Sequence, residues 1–136
     1  MATRLLVSVV DDDESVRESL PDLLTEFGFS AQAFASAEEF LASEFLARTH
    51  ILVLDIAMPG MSGPALQEEL AARRCSIPIV FITAHADESV RRPLLEAGAV
   101  DVLFKPFTES ALLDAMAAAV RGNGSNGSTS GKPSGK

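Results

Sequence analysis

The sequence predicts an α/β fold: a doubly wound, five-stranded parallel sheet with helices on both faces. Three observations predict it. Short apolar runs rich in β-branched residues recur along the chain. Each is followed by a segment whose apolar residues fall at helical spacing. This strand-then-helix unit occurs five times between residues 5 and 120, the pattern that builds a parallel sheet.

Residues 5–10 form an apolar run broken only by Ser8, as a strand buried on both faces requires. Val16, Leu20, Leu23 and Phe27 then recur at helical spacing, and Gly28 supplies a stop. Ser30–Phe34 reads as a weaker strand. Ala37, Phe40, Leu41 and Phe45 outline a second amphipathic helix with Ser36 as its N-cap. Residues 51–54 are a third strand ending at Asp55, and the run from Met58 to Gly63 is loop chemistry. Pro64 suits the first turn of a helix carrying Leu66 and Leu70. Residues 79–82 form a fourth strand ending at Thr83. Val90, Leu94 and Ala97 mark a fourth helix closed by Gly98, residues 99–103 a fifth strand, and Leu112, Leu113, Met116 and Val120 a last helix. Two prolines disturb the pattern. Pro21 removes one hydrogen bond inside the first helix and should kink it. Pro93 suggests that the fourth helix begins late, near Arg91 or Arg92, leaving residues 84–92 as a long loop.

The chain has 136 residues and a net charge of −8, from 19 acidic and 11 basic side chains. That balance argues against direct nucleic-acid binding, which needs clustered Lys and Arg. No apolar run is long enough to span a bilayer, and the first run is too short for a signal-peptide core. A soluble, cytoplasmic domain with no membrane partner is expected. The lone Cys75 cannot form an internal disulfide and reads as a small, partly buried residue. Residues 1–121 should form the domain. Residues 122–136, mostly Gly, Ser and Asn, should form a flexible tail or linker.

In doubly wound sheets, ligands bind beyond the carboxyl ends of the strands. The first strand ends in Asp11-Asp12-Asp13-Glu14, the third in Asp55, the fourth in Thr83 and the fifth just before Lys105. The topology therefore gathers carboxylates with a hydroxyl and an ammonium at their rim. Crowded carboxylates repel one another, and a hard divalent cation such as Mg²⁺ relieves the repulsion. Mg²⁺, Lys105, Thr83 and loop N–H groups can then cradle a phosphate, and Asp55 can act as a covalent nucleophile toward phosphorus.

Val9-Val10-Asp11-Asp12, the run from Leu54 to Gly63, Ile82-Thr83-Ala84 and Lys105-Pro106-Phe107 together resemble the signature blocks of response-regulator receiver domains, over roughly residues 4–121. Gly98-Ala99-Val100-Asp101 is similar to the nitrogen-fixation regulator subgroup, whose receivers commonly precede a DNA-binding output domain. The resemblance implies a flavodoxin-like strand order 2-1-3-4-5. It implies that Asp55 is the phosphoacceptor, and that Mg²⁺ is held by Asp12 directly, Asp11 mainly through water, Asp55 and the Ala57 carbonyl. Thr83 would report the phosphoryl group, Lys105 would pair with it, and the Lys105–Pro106 bond would be cis. The implied partners are a sensor histidine kinase or phosphotransfer protein and a downstream output domain. Homodimerisation through the fourth helix and fifth strand is a further expectation. The implied role is a switch that catalyses only its own phosphorylation and dephosphorylation.

Val102 departs from the pattern, because many receivers carry an aromatic residue there. Phe104 shares its face of the strand, with Leu103 on the other. A phosphatase of the haloacid-dehalogenase type would use Asp11 and Asp13 as an Asp-x-Asp motif, but would leave Asp55 without a role. A phosphorylation-independent scaffold would not need the full set of acids, Thr83 and Lys105. Asp13 alone reads as an N-cap for the first helix, His85 as an exposed loop residue, and His50 as structural or exposed.

Overall fold

Leu6–Val10 (β1), Ile51–Asp55 (β3) and Ile79–Thr83 (β4) are buried along their whole length, so apolar side chains are needed on both faces of the sheet. In a computed structural model describing residues 4–85 and 87–128 of the chain, they form the centre of a parallel sheet of order β2-β1-β3-β4-β5. Ser30–Phe34 (β2) and Asp101–Phe104 (β5) are the edges. This is the expected order.

Alternation along the strands divides the core in two. Val7, Val9, Ile51, Val53, Val80, Ile82 and Leu103 face Leu20 and Leu24 of α1 (Glu14–Glu26) and Leu112, Ala115, Met116 and Ala119 of α5 (Glu109–Ser128). Val10, Leu52, Leu54, Ile79, Phe81 and Val102 face the other way. They meet Ala37 and Phe40 of α2 (Ala37–Ala42), Leu66 and Leu70 of α3 (Gly63–Ala72) and Leu94 of α4 (Glu88–Glu96). Val102 and Phe104 belong to the second cluster and Leu103 to the first, as the period of two requires. Ser8, fully buried in β1, is satisfied by the Thr49 hydroxyl at 2.6 Å.

Several boundaries differ from expectation, each for a local reason. Pro93 does not delay α4, which begins at Glu88. The Asp87 carboxylate caps the helix by accepting from the Ser89 N–H at 2.9 Å, and the helix tolerates the one bond lost at Pro93. Asp87→Ala is expected to destabilise the start of α4 and to speed amide exchange across α4 selectively. Equal exchange in the two proteins would rule out the cap as the anchor of α4. Pro21 lies inside α1, which runs from Glu14 to Glu26. Helix α2 stops at Ala42, short of Phe45, because the Ser43 hydroxyl takes the Phe40 carbonyl at 2.8 Å and turns the chain into a short 3₁₀ segment at Leu46–Arg48. Phe45 packs against Phe34 instead, ring centres 6.2 Å apart.

Strand β5 begins at Asp101 and not at residue 99. Gly98, at φ +111°, reverses the chain after α4, and the Ala99 N–H is drawn back to the Leu94 carbonyl at 3.0 Å. The backbone of α5 continues to Ser128, beyond the expected domain end at residue 121. Each added helical residue gains a hydrogen bond, so a helix once nucleated can extend along the backbone. The rest of the expected tail, residues 129–136, lies outside the described residues. No helix among the described residues is long and apolar enough to cross a membrane.

Candidate functional site

Strand pairing alone places the acids together. β1 and β3 are neighbours with Val10 opposite Leu54, so Asp11, the next residue along, comes beside Asp55. One carboxylate oxygen from each of Asp11, Asp12 and Asp55 lies within 4.8 Å of the others. Asp11 is fully buried and Asp55 is 6% exposed, whereas Asp12 is exposed, so the cluster opens to solvent on the Asp12 side.

Asp11 is held on every side. Its Oδ1 accepts from the Asp13 N–H at 2.8 Å, and its Oδ2 accepts from Lys105 Nζ at 3.0 Å. Its carbonyl accepts from Arg17 Nη1 at 3.0 Å, and its N–H donates to the Phe34 carbonyl at 3.1 Å. Asp55 has less support. Burial pushes its carboxyl up first, the Asp11 charge pushes it further, and Lys105 only partly offsets them. Hydrogen bonds with Asp11 and Asp12 add to the rise, and the pKa reaches about 7. For Lys105, burial opposes the charged form. The bond to Asp11 and the charges of Asp11, Asp55 and Asp13 outweigh burial and hold the ammonium above its usual range.

One ammonium cannot neutralise this cluster. Two buried carboxylates and a third beside them, all hard oxygen donors with one side open to water, suit a hard divalent cation. Ala57, the expected carbonyl donor, lies exposed two residues beyond Asp55 in the loop leading to α3. Thr83 ends β4 and is almost fully buried; its Oγ1 accepts from the His85 N–H at 3.1 Å. The Lys105 N–H donates to the Thr83 carbonyl at 2.7 Å, which ties the lysine to the end of β4, and the Lys105–Pro106 peptide is cis.

Every residue expected at the site therefore stands at the carboxyl end of the sheet; Asp11, Asp12 and Asp55 are in mutual reach, and Lys105 is bonded to Asp11. Asp13 is not part of the cluster: its carboxylate caps α1 through the Ser15 N–H at 2.9 Å. That removes the second acid of an Asp-x-Asp phosphatase motif. His50 is at the opposite end of the sheet, where its Nδ1 accepts from the Leu6 N–H at 2.9 Å, a structural role.

Three residues of the site escaped sequence reasoning. Arg17 reaches the Asp11 carbonyl from α1, and Glu38 reaches the Met61 N–H from α2 at 3.0 Å. Gly63 lies so close to the Asp55 carbonyl that a side chain there would collide with it. Only the glycine carried a signal, as the second glycine of the loop after Asp55.

Residues 7–117 match the family described as the response regulator receiver domain. The chain is 46% identical over 118 residues to nodulation protein W of Bradyrhizobium diazoefficiens, covering 87% of this chain and 52% of that protein. It is 40% identical over 114 residues to the transcriptional regulatory protein FixJ of Rhizobium meliloti, covering 84% of this chain and 56% of that protein. The chain thus spans about half the length of these curated relatives. Among solved structures, FixJ-N superposes with a TM-score of 0.78 at 38% identity, covering 88% of this chain and 96% of that one.

Proposed function

The chain belongs to the response regulator receiver domain family of two-component signalling, and from that premise we propose that it is switched by Mg²⁺-dependent transfer of a phosphoryl group to Asp55. The observation that carries this reading is the three-carboxylate cluster with Asp55 inside it and Lys105 at its edge.

In this reading Asp12, Asp55, the Ala57 carbonyl and, through water, Asp11 hold Mg²⁺. When bound, the ion would neutralise charge on the transferring phosphoryl group and relieve the repulsion that raises Asp55, so that the Asp55 carboxylate would stand ionised as a nucleophile. An Asp55 oxygen attacks phosphorus in line, and the P–N bond of a phosphohistidine donor breaks as the O–P bond forms. Lys105 leaves Asp11 to pair with a phosphoryl oxygen. Thr83 gives up the His85 N–H and turns its hydroxyl toward another. With Val102 at the position where many receivers have an aromatic ring, this movement of Thr83 and its loop is the element that biases the two-state equilibrium.

The chain catalyses only its own phosphorylation and dephosphorylation. It acts in the cytoplasm, and its partners are a sensor histidine kinase or phosphotransfer protein and, in the longer regulators, an output domain. The surface of α4, β5 and α5 is the candidate face for output and dimerisation.

Intact mass spectrometry after incubation with acetyl phosphate and Mg²⁺ tests the proposal. One phosphoryl adduct is expected on the parent, with none in EDTA and none on Asp55→Asn. An adduct that survives Asp55→Asn would overturn the assignment of the acceptor.

A further inference from the structure

The loop that follows Asp55 is tied to the sheet at its two ends. Ile56 N–H donates to the Ile82 carbonyl at 3.1 Å, and Gly63 N–H donates to the Ile56 carbonyl at 2.9 Å. Between these ties, the Met61 N–H donates to Oε2 of Glu38, a residue 23 positions earlier on α2, at 3.0 Å. The neighbouring Gly60 is shaped around the same carboxylate. It has φ +75°, and a Cβ on it would lie 2.7 Å from Glu38 Oε2.

The first turn of α2 divides its labour. Ser36 accepts from the Glu39 N–H at 3.1 Å, and Glu39 Oε1 accepts from the Ala35 N–H at 3.2 Å, so these two residues close the helix start. Glu38, beside them, serves the loop. The helix is a firm base for it, because Ala37 and Phe40 are fully buried in the core cluster that also holds Leu54 and Met58. Met58 and Leu54 flank Asp55 and Ala57 in sequence, so both sides of the contact rest on one packed unit.

We propose that Glu38 is a positioning residue for the metal-binding loop: its carboxylate, by holding Met61 and Gly60, fixes the path of the chain that presents Ala57 beside Asp55. The inference rests on the reading of this site as a Mg²⁺-dependent phosphoacceptor. Glu38 touches neither metal nor phosphoryl group. It acts as outer-shell partners of metal ligands do, by limiting the positions the donor atom can take.

The test is isothermal titration of Mg²⁺ into the parent, Glu38→Ala, Glu38→Gln and Glu39→Ala, with amide exchange read at Met61. Glu38→Ala should raise the Kd for Mg²⁺ by about threefold to tenfold, below or at the low end of outer-shell effects, and speed exchange at Met61. Glu38→Gln keeps an acceptor oxygen and should stay within about twofold of the parent. Glu39→Ala makes the same charge change and loosens α2, yet should leave the Kd unchanged. Parental Mg²⁺ affinity in Glu38→Ala would overturn the proposal, and so would an equal loss in all three variants, which would mean charge alone. If the parent itself took up no Mg²⁺, the phosphoacceptor reading would fall. Slower Met61 exchange in the parent than in Glu38→Ala would then still establish the latch as a structural contact.

Discussion

Asp55→Asn is expected to stabilise the metal-free protein at pH 8, with a gain that shrinks as the pH falls. In the folded chain the Asp55 carboxyl is raised from 3.8 to about 7 by burial and by Asp11. Between these two values the folded state holds a proton that the unfolded state has released. Stability contributed by Asp55 is therefore complete below pH 3.8, falls as the pH rises toward 7, and is absent above it. The shift has a ceiling of roughly 4 kcal/mol at 1.36 kcal/mol per pH unit. The cluster opens to water at Asp12, and solvent screening brings the effect down to roughly 1–3 kcal/mol. Asparagine has the same shape and no charge, so the variant escapes the penalty. Calorimetry in EDTA should show its Tm above the parent's by several degrees at pH 8, with the two converging near pH 4. A difference that does not vary with pH would mean that the Asp55 charge is not the cause. Mg²⁺ should narrow the gap at pH 8, because it binds the parent's folded state and not its unfolded state.

Gly63→Ala is expected to be the most damaging small substitution in the domain. An added Cβ would collide with the Asp55 carbonyl, lie 3.0 Å from the Ile56 Cα and come within 3.1 Å of the Phe81 ring. Two of the three obstacles are backbone, and the third is a fully buried ring. None can move without shifting the end of β3 or the core cluster beneath α3. Overpacking of this kind costs about 3 kcal/mol when the surroundings cannot yield. The midpoint of chemical denaturation should fall accordingly, with the slope unchanged. Gly122→Ala is the internal control. It lies on α5 with nothing within 4 Å of an added Cβ, and alanine there should be neutral or stabilising by up to about 1 kcal/mol. Similar effects at both positions would mean that helix propensity governs Gly63, and not contact with Asp55.

Both predictions depend on how strand ends meet, and the sequence carried much of that. Periodicity identified the elements because a strand buried on both faces has to be apolar throughout, and a helix on one face has to be apolar at every third or fourth position. Once Asp11, Asp55, Thr83 and Lys105 were seen at strand ends, parallel topology left them little choice but to converge. The caps at Asp13 and Ser36 were local matters as well: each side chain accepts from an N–H two or three residues ahead.

What the sequence could not determine depends on contacts between distant segments or on local competitions too close to read from periodicity. Pro93 announces a helix start, but the Asp87 cap starts the helix earlier, and only the folded geometry shows that one missing bond is tolerated. Phe45 fits the helical period, yet Ser43 ends the helix first by taking the Phe40 carbonyl. Arg17 on Asp11 and Glu38 on Met61 are polar residues on exposed or half-exposed helix faces, where no periodic pattern distinguishes a solvated charge from a latch. The sequence by itself determined the elements, most of the core and which chemical groups gather at the carboxyl end of the sheet, because helical and strand periods and strand polarity are written along the chain; Leu113, read on the apolar face of the last helix, is exposed. Tertiary structure alone decided which oxygen each donor meets and how far Asp55 is raised, because those depend on distances of a few ångströms between segments that only the packed sheet brings together.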